Sequence, residues 1–259
     1  MNIDPTQWVA LVLFFFLIAT LYSSVGFGGG SSYLALLSLM GFSFFFIRTN
    51  ALLCNLIVVS GSSVLFYKNK LIHFKDIFPF VVASIPLTFL GSLLKLEETL
   101  FFILLALTLI GSSLSLFWQT FFLKNQNSQE KKIPLYLNYI IGGAIGFLSG
   151  LVGIGGGVFL APLLLHLRWG KPIKIAALTA FFILVNSLSG LLGLVLNNTF
   201  DFSFSTTFPL LIAVFIGGQL GVRISIRKGS SIWIKTLTGI LVLSVGIRIL
   251  ITQGFAVFA

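Results

Sequence analysis

Two glycine-rich segments contain the residues whose types and spacing best suit a chemical role. Residues 25–30 read VGFGGG and residues 152–157 read VGIGGG, so the motif recurs 127 residues later. Three successive glycines cost roughly 1 kcal/mol each in a helix relative to alanine, and a helix is therefore predicted to break at each triplet. The helix that restarts there presents unpaired N–H groups and the positive end of its dipole, both of which favour an anion.

Polar side chains flank the predicted breaks and lie deep in the apolar runs that follow them. Serines could cap the restarting helices or donate hydroxyls to an anion, and buried amides should face the bundle rather than lipid. The substrate-binding residues predicted on these grounds are Ser24, Gly28, Gly29, Gly30, Ser31, Ser32, Ser149, Gly155, Gly156, Gly157, Asn55 and Asn186. Two alternatives stay open: small residues that only let helices pack closely, and interhelical hydrogen bonds for the two asparagines.

Few residues in this chain could support proton relay, ATP binding or covalent catalysis. The apolar spans carry no Asp or Glu for a proton relay, and no GxxxxGK[ST] motif suggests an ATP-driven engine. Cys54 excludes an internal disulfide and would make a poor nucleophile without a deep base beside it. Arg48, near the end of a long uncharged run, is predicted to snorkel to the interface, with attraction of anions as the alternative. No catalytic residue, metal ligand or cofactor is therefore predicted.

The composition places these segments in a membrane. Of 259 residues, 57% are hydrophobic and 8% are charged, against roughly a quarter charged in soluble domains, and the mean hydropathy is +1.09. One core cannot hide so much apolar surface, which excludes a soluble enzyme. The net charge of +10 is interpreted as a topology signal facing anionic lipid, and not as a nucleic-acid footprint.

Uncharged runs locate the spans, because a charge at the bilayer centre costs at least ~2.5 kcal/mol. Residues 5–47 and 133–167 are longer than the ~17–25 residues of one span. Each contains a glycine triplet, so each is predicted to be a broken helix or a hairpin. Whether each hairpin spans the membrane fully or turns back partway is left open, although the short run at 158–167 favours a short return arm. Single spans are predicted at 50–67, 77–94, 99–120, 176–196, 206–222 and 236–247.

The basic residues decide how two copies of one unit are oriented. The copies are residues 1–123 and 134–259, joined by a polar loop at 124–133. If both long runs are hairpins, the second copy is inverted, and thirteen of the sixteen Lys and Arg fall on one side. Arg48, Lys95 and Arg248 fall on the other. The positive-inside rule then predicts that both termini lie outside a cytoplasmic (inner) membrane that the chain crosses many times.

Four stretches carry a resemblance to a known family: SVGFGGGSSYLALL at 24–37, SGLVGIGGGVFLAPLLL at 149–165, LTAFFILVNSLSGLLG at 178–193 and GGQLGVRIS at 217–225. Over essentially its whole length the chain resembles the sulfite exporter TauE/SafE family of membrane permeases. The resemblance implies outward transport of sulfite, sulfonates such as sulfoacetate, or related small organic anions. Its glycine motif falls on Gly26, Gly28, Gly29, Gly30, Gly153, Gly155, Gly156 and Gly157, with Pro162 in the second copy and Ala35 in its place in the first.

The sequence thus predicts an all-α polytopic membrane protein of two inverted repeats. It is expected to carry small anions by alternating access around a midplane site, and not to be an enzyme. Export is favoured because an inside-negative potential drives anion exit by ~2.3 kcal/mol per charge per 100 mV. The expected partners are a small anion, the lipid bilayer and, as an option, a second copy of the chain. The alternatives are an intramembrane group-transfer enzyme and a non-transporting scaffold, although a scaffold has no reason to break two helices.

Overall fold

The computed structural model describes residues 4–94, 97–122, 131, 133–228 and 232–251. Within these ranges the regular secondary structure is helical. The helices are α1 (Pro5–Val25), α2 (Gly30–Leu39), α3 (Phe44–Lys68), α4 (Phe74–Leu93), α5 (Glu98–Phe122), α6 (Leu135–Val152), α7 (Gly157–His166), α8 (Pro172–Leu196), α9 (Phe204–Lys228) and α10 (Ile232–Ile249).

The predicted all-helical membrane fold is confirmed. Six of the described helices, α1, α3, α4, α6, α8 and α9, are long and apolar enough to cross a membrane. The six predicted single spans coincide with α3, α4, α5, α8, α9 and α10, although the span at 77–94 runs one residue past the end of α4. The two long runs form the pairs α1–α2 and α6–α7. The predicted loop at 124–133 lies outside the described residues, except for 131 and 133.

Each long run pairs one long helix with one short helix. The long helices α1 and α6 have 21 and 18 residues, whereas α2 and α7 have 10 residues each. At 1.5 Å per residue, ten residues extend about 15 Å, which is half the ~30 Å thickness of the hydrocarbon core. Each return arm is therefore a half-length helix, as the run at 158–167 suggested.

The helices of the two halves pack against each other rather than forming separate bundles. Helix α1 packs along α9 and α6 packs along α4, while α3 contacts α8 and α5 contacts α10. Each helix of the first half has its counterpart five places later, so α1 corresponds to α6 and α4 to α9. The contact of α1 with α9 is therefore the counterpart of the contact of α6 with α4. Helices α3 and α8 are the most buried of the candidate spans, and they hold the glycine breaks between them.

Candidate functional site

The helix breaks predicted at the two glycine triplets are confirmed. Helix α1 ends at Gly26 with φ of 89°, and α2 begins after Gly29 with φ of 90°. In the second half, Gly153, Gly155 and Gly156 have φ of 75°, 81° and 81°. Side-chain-bearing residues rarely adopt this left-handed region, so glycine is what allows the chain to leave one helix and start the next within a few residues.

The N-termini of the two half-length helices differ in how their first N–H groups are satisfied. Gly29 and Gly156 are the N-cap residues, and no side chain caps either helix from that position. The Gly30 N–H donates to Asn55 Oδ1 at 2.8 Å, but within the described residues no acceptor meets the Gly157 N–H. The N-terminal half-charge of each helix dipole thus faces the interior, where it favours a negative ligand.

Asn55 joins the two breaks. This side chain is fully buried near the middle of α3, and its Nδ2 donates to the carbonyl oxygen of Ile154 at 2.8 Å while its Oδ1 accepts from Gly30. The two breaks therefore meet at the centre of a candidate span. These bonds supply the interhelical hydrogen bonds considered for Asn55, and a direct contact with substrate stays a prediction.

A face of α8 takes the corresponding place beside the second break. Cβ atoms added at Gly155 and Gly157 would press on Ile183, and the one at Gly155 would also lie 3.0 Å from Ser187 Oγ. Thr179 lies beside Gly157 on the same face. The hydroxyls of Thr179 and Ser187 are buried without a hydrogen-bond partner. We did not predict these two residues, although four-residue intervals from 179 to 187 signal one helix face.

The predicted serines divide into two kinds. The hydroxyls of Ser31 and Ser149 are buried and have no hydrogen-bond partner. Ser24 Oγ donates to the Leu21 carbonyl oxygen at 2.6 Å, and Ser32 Oγ lies 2.6 Å from the Tyr22 hydroxyl. Ser31 and Ser149 therefore keep the capacity to bind a ligand without giving up a bond.

Asn186 lies toward α4 and α6. Its Oδ1 lies 3.1 Å from Thr88 Oγ1, which also lies 2.8 Å from the Gly146 carbonyl oxygen. The Nδ2 of Asn186 is buried and has no partner. The Oδ1 of Asn186 thus takes part in helix packing, whereas its Nδ2 is available to a ligand. The residue of α8 that contacts the second break, as Asn55 contacts the first, is Ile183 and not Asn186.

The comparison with known proteins decides the family. The profile of the family "Sulfite exporter TauE/SafE" matches residues 11–249. The chain belongs to the TauE/SafE family. It is also 34% identical over 248 residues to a "Probable membrane transporter protein y4hK" of Sinorhizobium fredii (strain NBRC 101917 / NGR234), covering 95% of this chain and 99% of the relative. No solved structure was found to match it.

This TauE/SafE protein is accordingly a multi-pass membrane transporter, and the residues around its glycine breaks are buried. Every residue of 22–35 and of 149–158 is buried.

Arg48 corrects the expectation of a snorkelling side chain. It is 2% exposed, and its Nη2 donates to the Gly150 carbonyl oxygen at 3.1 Å near the end of α6. Its guanidinium carbon lies 5.5 Å from the Phe44 ring centre and 5.9 Å from that of Phe101. Two aromatic rings and the C-terminal end of α6 therefore surround the guanidinium group.

Polar contacts join the two halves of the TauE/SafE protein at opposite ends of α3. At the start of α3, Ser43 Oγ donates to Asp201 Oδ2 at 2.9 Å, and the Asp201 N–H donates to Thr49 Oγ1 at 3.2 Å. Past its other end, Lys174 Nζ lies 2.7 Å from Asp76 Oδ2. We call these the Asp201 end and the Asp76 end.

Proposed function

We propose that this transporter moves small sulfur-containing or organic oxyanions, such as sulfite and sulfonates including sulfoacetate, and binds them where α2 and α7 begin. The observation that carries the proposal is a set of buried hydroxyls without hydrogen-bond partners around the two breaks. They belong to Ser31, Tyr33, Ser149, Thr179 and Ser187.

Unpartnered buried hydroxyls are expensive, which argues for a ligand. Each costs roughly 1–3 kcal/mol when no bond replaces water. An oxyanion beside the second break would accept hydrogen bonds from the Gly157 N–H and from the Thr179 and Ser187 hydroxyls on the adjacent face of α8. A cation would meet the positive ends of two helix dipoles instead. The site therefore favours negative solutes with several acceptor oxygens.

The family and the relative support a transport role for this site. The family's description names sulfite export, and the relative is described as a probable membrane transporter. Broken helices that meet near the midplane are a recurrent design of secondary transporters. Sulfite is therefore the first substrate to test, with sulfonates and carboxylates after it.

We further propose alternating access through the two ends of the bundle. The Asp201 and Asp76 ends each join one half to the other, and both are closed around the buried breaks. Opening one end at a time would expose the breaks to one side only. Asp201, which follows the end of α8, contacts Ser43 and Thr49 at the start of α3. The counterpart helices α3 and α8 therefore run antiparallel, which supports an inverted arrangement with the two ends on opposite sides of the membrane.

We assign the Asp201 end to the outside of the cytoplasmic membrane, because the opposite end carries most of the basic loops. With an inside-negative potential, an anion leaving at the Asp201 end gains ~2.3 kcal/mol per charge per 100 mV. Net export then requires no coupling ion.

Flux in reconstituted vesicles tests this function. Labelled sulfite, sulfoacetate, acetate and taurine are loaded, and potential and pH gradients are imposed separately. We expect efflux of the oxyanions to follow the potential and the released solute to be chemically unchanged, which separates a transporter from a group-transfer enzyme. Equal rates with and without protein for every anion would overturn the proposal.

A further inference from the structure

Arg48 carries a charge that the packing of this protein does not by itself explain. The side chain is buried, it is in no ion pair with a carboxylate among the described residues, and its Nε has no hydrogen-bond partner. A buried charge without a carboxylate partner is costly, and an ionisable residue within a membrane-spanning helix generally marks a path for a solute or an ion.

The other half of the protein shows that the fold can form the same break without an arginine. An added Cβ at Gly153 would lie 3.7 Å from Arg48 Nε, whereas one at Gly26 would lie 2.5 Å from Ala176 Cβ. Gly26 and Gly153 occupy the same motif position, and Ala176 thus takes the place of Arg48. A small residue suffices beside the first break, so the arginine beside the second one calls for another reason.

Helix α1 also closes its own C-terminus with backbone bonds. The Phe27 N–H donates to the Tyr22 carbonyl oxygen at 2.8 Å, and the Gly26 N–H donates to that of Ser23 at 3.1 Å. At the end of α6, the Gly153 N–H makes one such bond, to Ser149. Arg48 supplies a further donor there, to Gly150. Its hydrogen bond is a single contact that a ligand can replace.

The position of Arg48 lies between the Asp201 end and the midplane. It precedes Asn55 by seven residues, which places both on one face of α3 about 10 Å apart along the axis. In the other direction, Ser43 at the start of α3 is exposed. A solute leaving the breaks along this face of α3 toward the Asp201 end passes the guanidinium.

We propose that Arg48 is a second anion-binding group on the path between the glycine breaks and the Asp201 end. It exchanges its bond to the Gly150 carbonyl for a two-point contact with an oxyanion, for which the guanidinium fork is suited. The ligand class is a sulfite, sulfonate or carboxylate group with two oxygens. The inference rests on the proposed function. It adds that the transporter binds anions differently from its two membrane faces, because only the path to the Asp201 end passes an arginine.

The test measures the half-saturating concentration of sulfite and of bromide on each face of oriented vesicles for wild type, Arg48→Lys and Arg48→Gln. Lys68→Gln is the control, since Lys68 is exposed at the far end of α3 and its replacement also removes one positive charge. We expect Arg48→Gln to raise the sulfite value at the Asp201 face at least about tenfold. Arg48→Lys keeps the positive charge but loses the two-pronged guanidinium. The half-saturating concentration of sulfite should therefore rise at that face, whereas that of bromide, which has no oxygens for a two-point contact, should not change.

Three outcomes separate the possibilities. If Arg48→Lys, with wild-type thermal stability in detergent, kept the wild-type preference for sulfite over bromide on both faces, the inference would be overturned. A loss that is equal on both faces would also overturn it, because a purely structural cap predicts that pattern. If wild type carries no anion at all, the proposed function has failed instead.

Discussion

At the scale of single residues, α8 carries one serine whose hydroxyl is hydrogen-bonded and, two residues away, one whose hydroxyl is not. Ser187 Oγ is buried beside the second break and has no partner. Two residues later, Ser189 Oγ donates to the Ile85 carbonyl oxygen at 2.8 Å and links α8 to α4. Replacing each serine in turn therefore distinguishes a role in substrate binding from a role in helix packing.

Ser187→Ala should leave the stability of the protein unchanged or slightly higher, because no hydrogen bond is lost. If the anion uses this hydroxyl, the half-saturating concentration rises about two- to tenfold, as for the loss of one hydrogen bond. Ser189→Ala is the matched control, with stability lower by about 1 kcal/mol and unchanged half-saturation. The measurements are thermal unfolding in detergent and vesicle flux; the reverse pattern would show that Ser187 has no part in binding.

At the scale of helices, glycine has two separate roles. Three glycines at four-residue intervals on α6, Gly142, Gly146 and Gly150, face the backbone of α4. This close approach is the packing role considered for small residues in membranes. At the triplets, glycine instead provides positive φ. Glycine thus allows close helix packing on α6 and provides the backbone conformation at the triplets, whereas the role of the triplets in substrate binding stays a prediction.

Gly146→Ala and Gly111→Ala form a matched pair of helix substitutions. A Cβ at Gly146 would lie 2.7 Å from the Ser84 Cα, whereas one at Gly111 on α5 meets nothing within 4 Å. Gly146→Ala should destabilise the protein by about 1–3 kcal/mol through the forced shift of α4. Gly111→Ala should stabilise it by up to about 1 kcal/mol through helix propensity. Equal melting temperatures for the two variants would contradict this account of α4–α6 packing.

At the scale of the whole molecule, both chain ends are predicted to lie outside. Gln7→Cys and a cysteine added after Ala259 should react with a membrane-impermeant maleimide on intact cells, whereas Asn69→Cys should react only after lysis. Cys54 is buried and gives no background. Labelling of the two ends from opposite sides would rule out the inverted arrangement.

Local chemistry made much of the fold predictable from sequence. Uncharged runs and glycine triplets are features of neighbouring residues, and they located the breaks and the half-length arm at 158–167. The contacts around the breaks could not be predicted in the same way. Asn55 meets Gly30 and Ile154 through tertiary packing, and Ile183, not Asn186, proved to be its counterpart. Arg48 was misplaced because two of its partners, the Phe101 ring and the Gly150 carbonyl oxygen, are distant from it in sequence.

The most direct measurement is an anomalous-difference map of the protein with selenite, a heavier analogue of sulfite, at a concentration that saturates transport. The account predicts a selenium peak between the starts of α2 and α7, within hydrogen-bonding reach of the Gly157 N–H and Ser187 Oγ. A protein that transports selenite but shows its peak away from both breaks would contradict it.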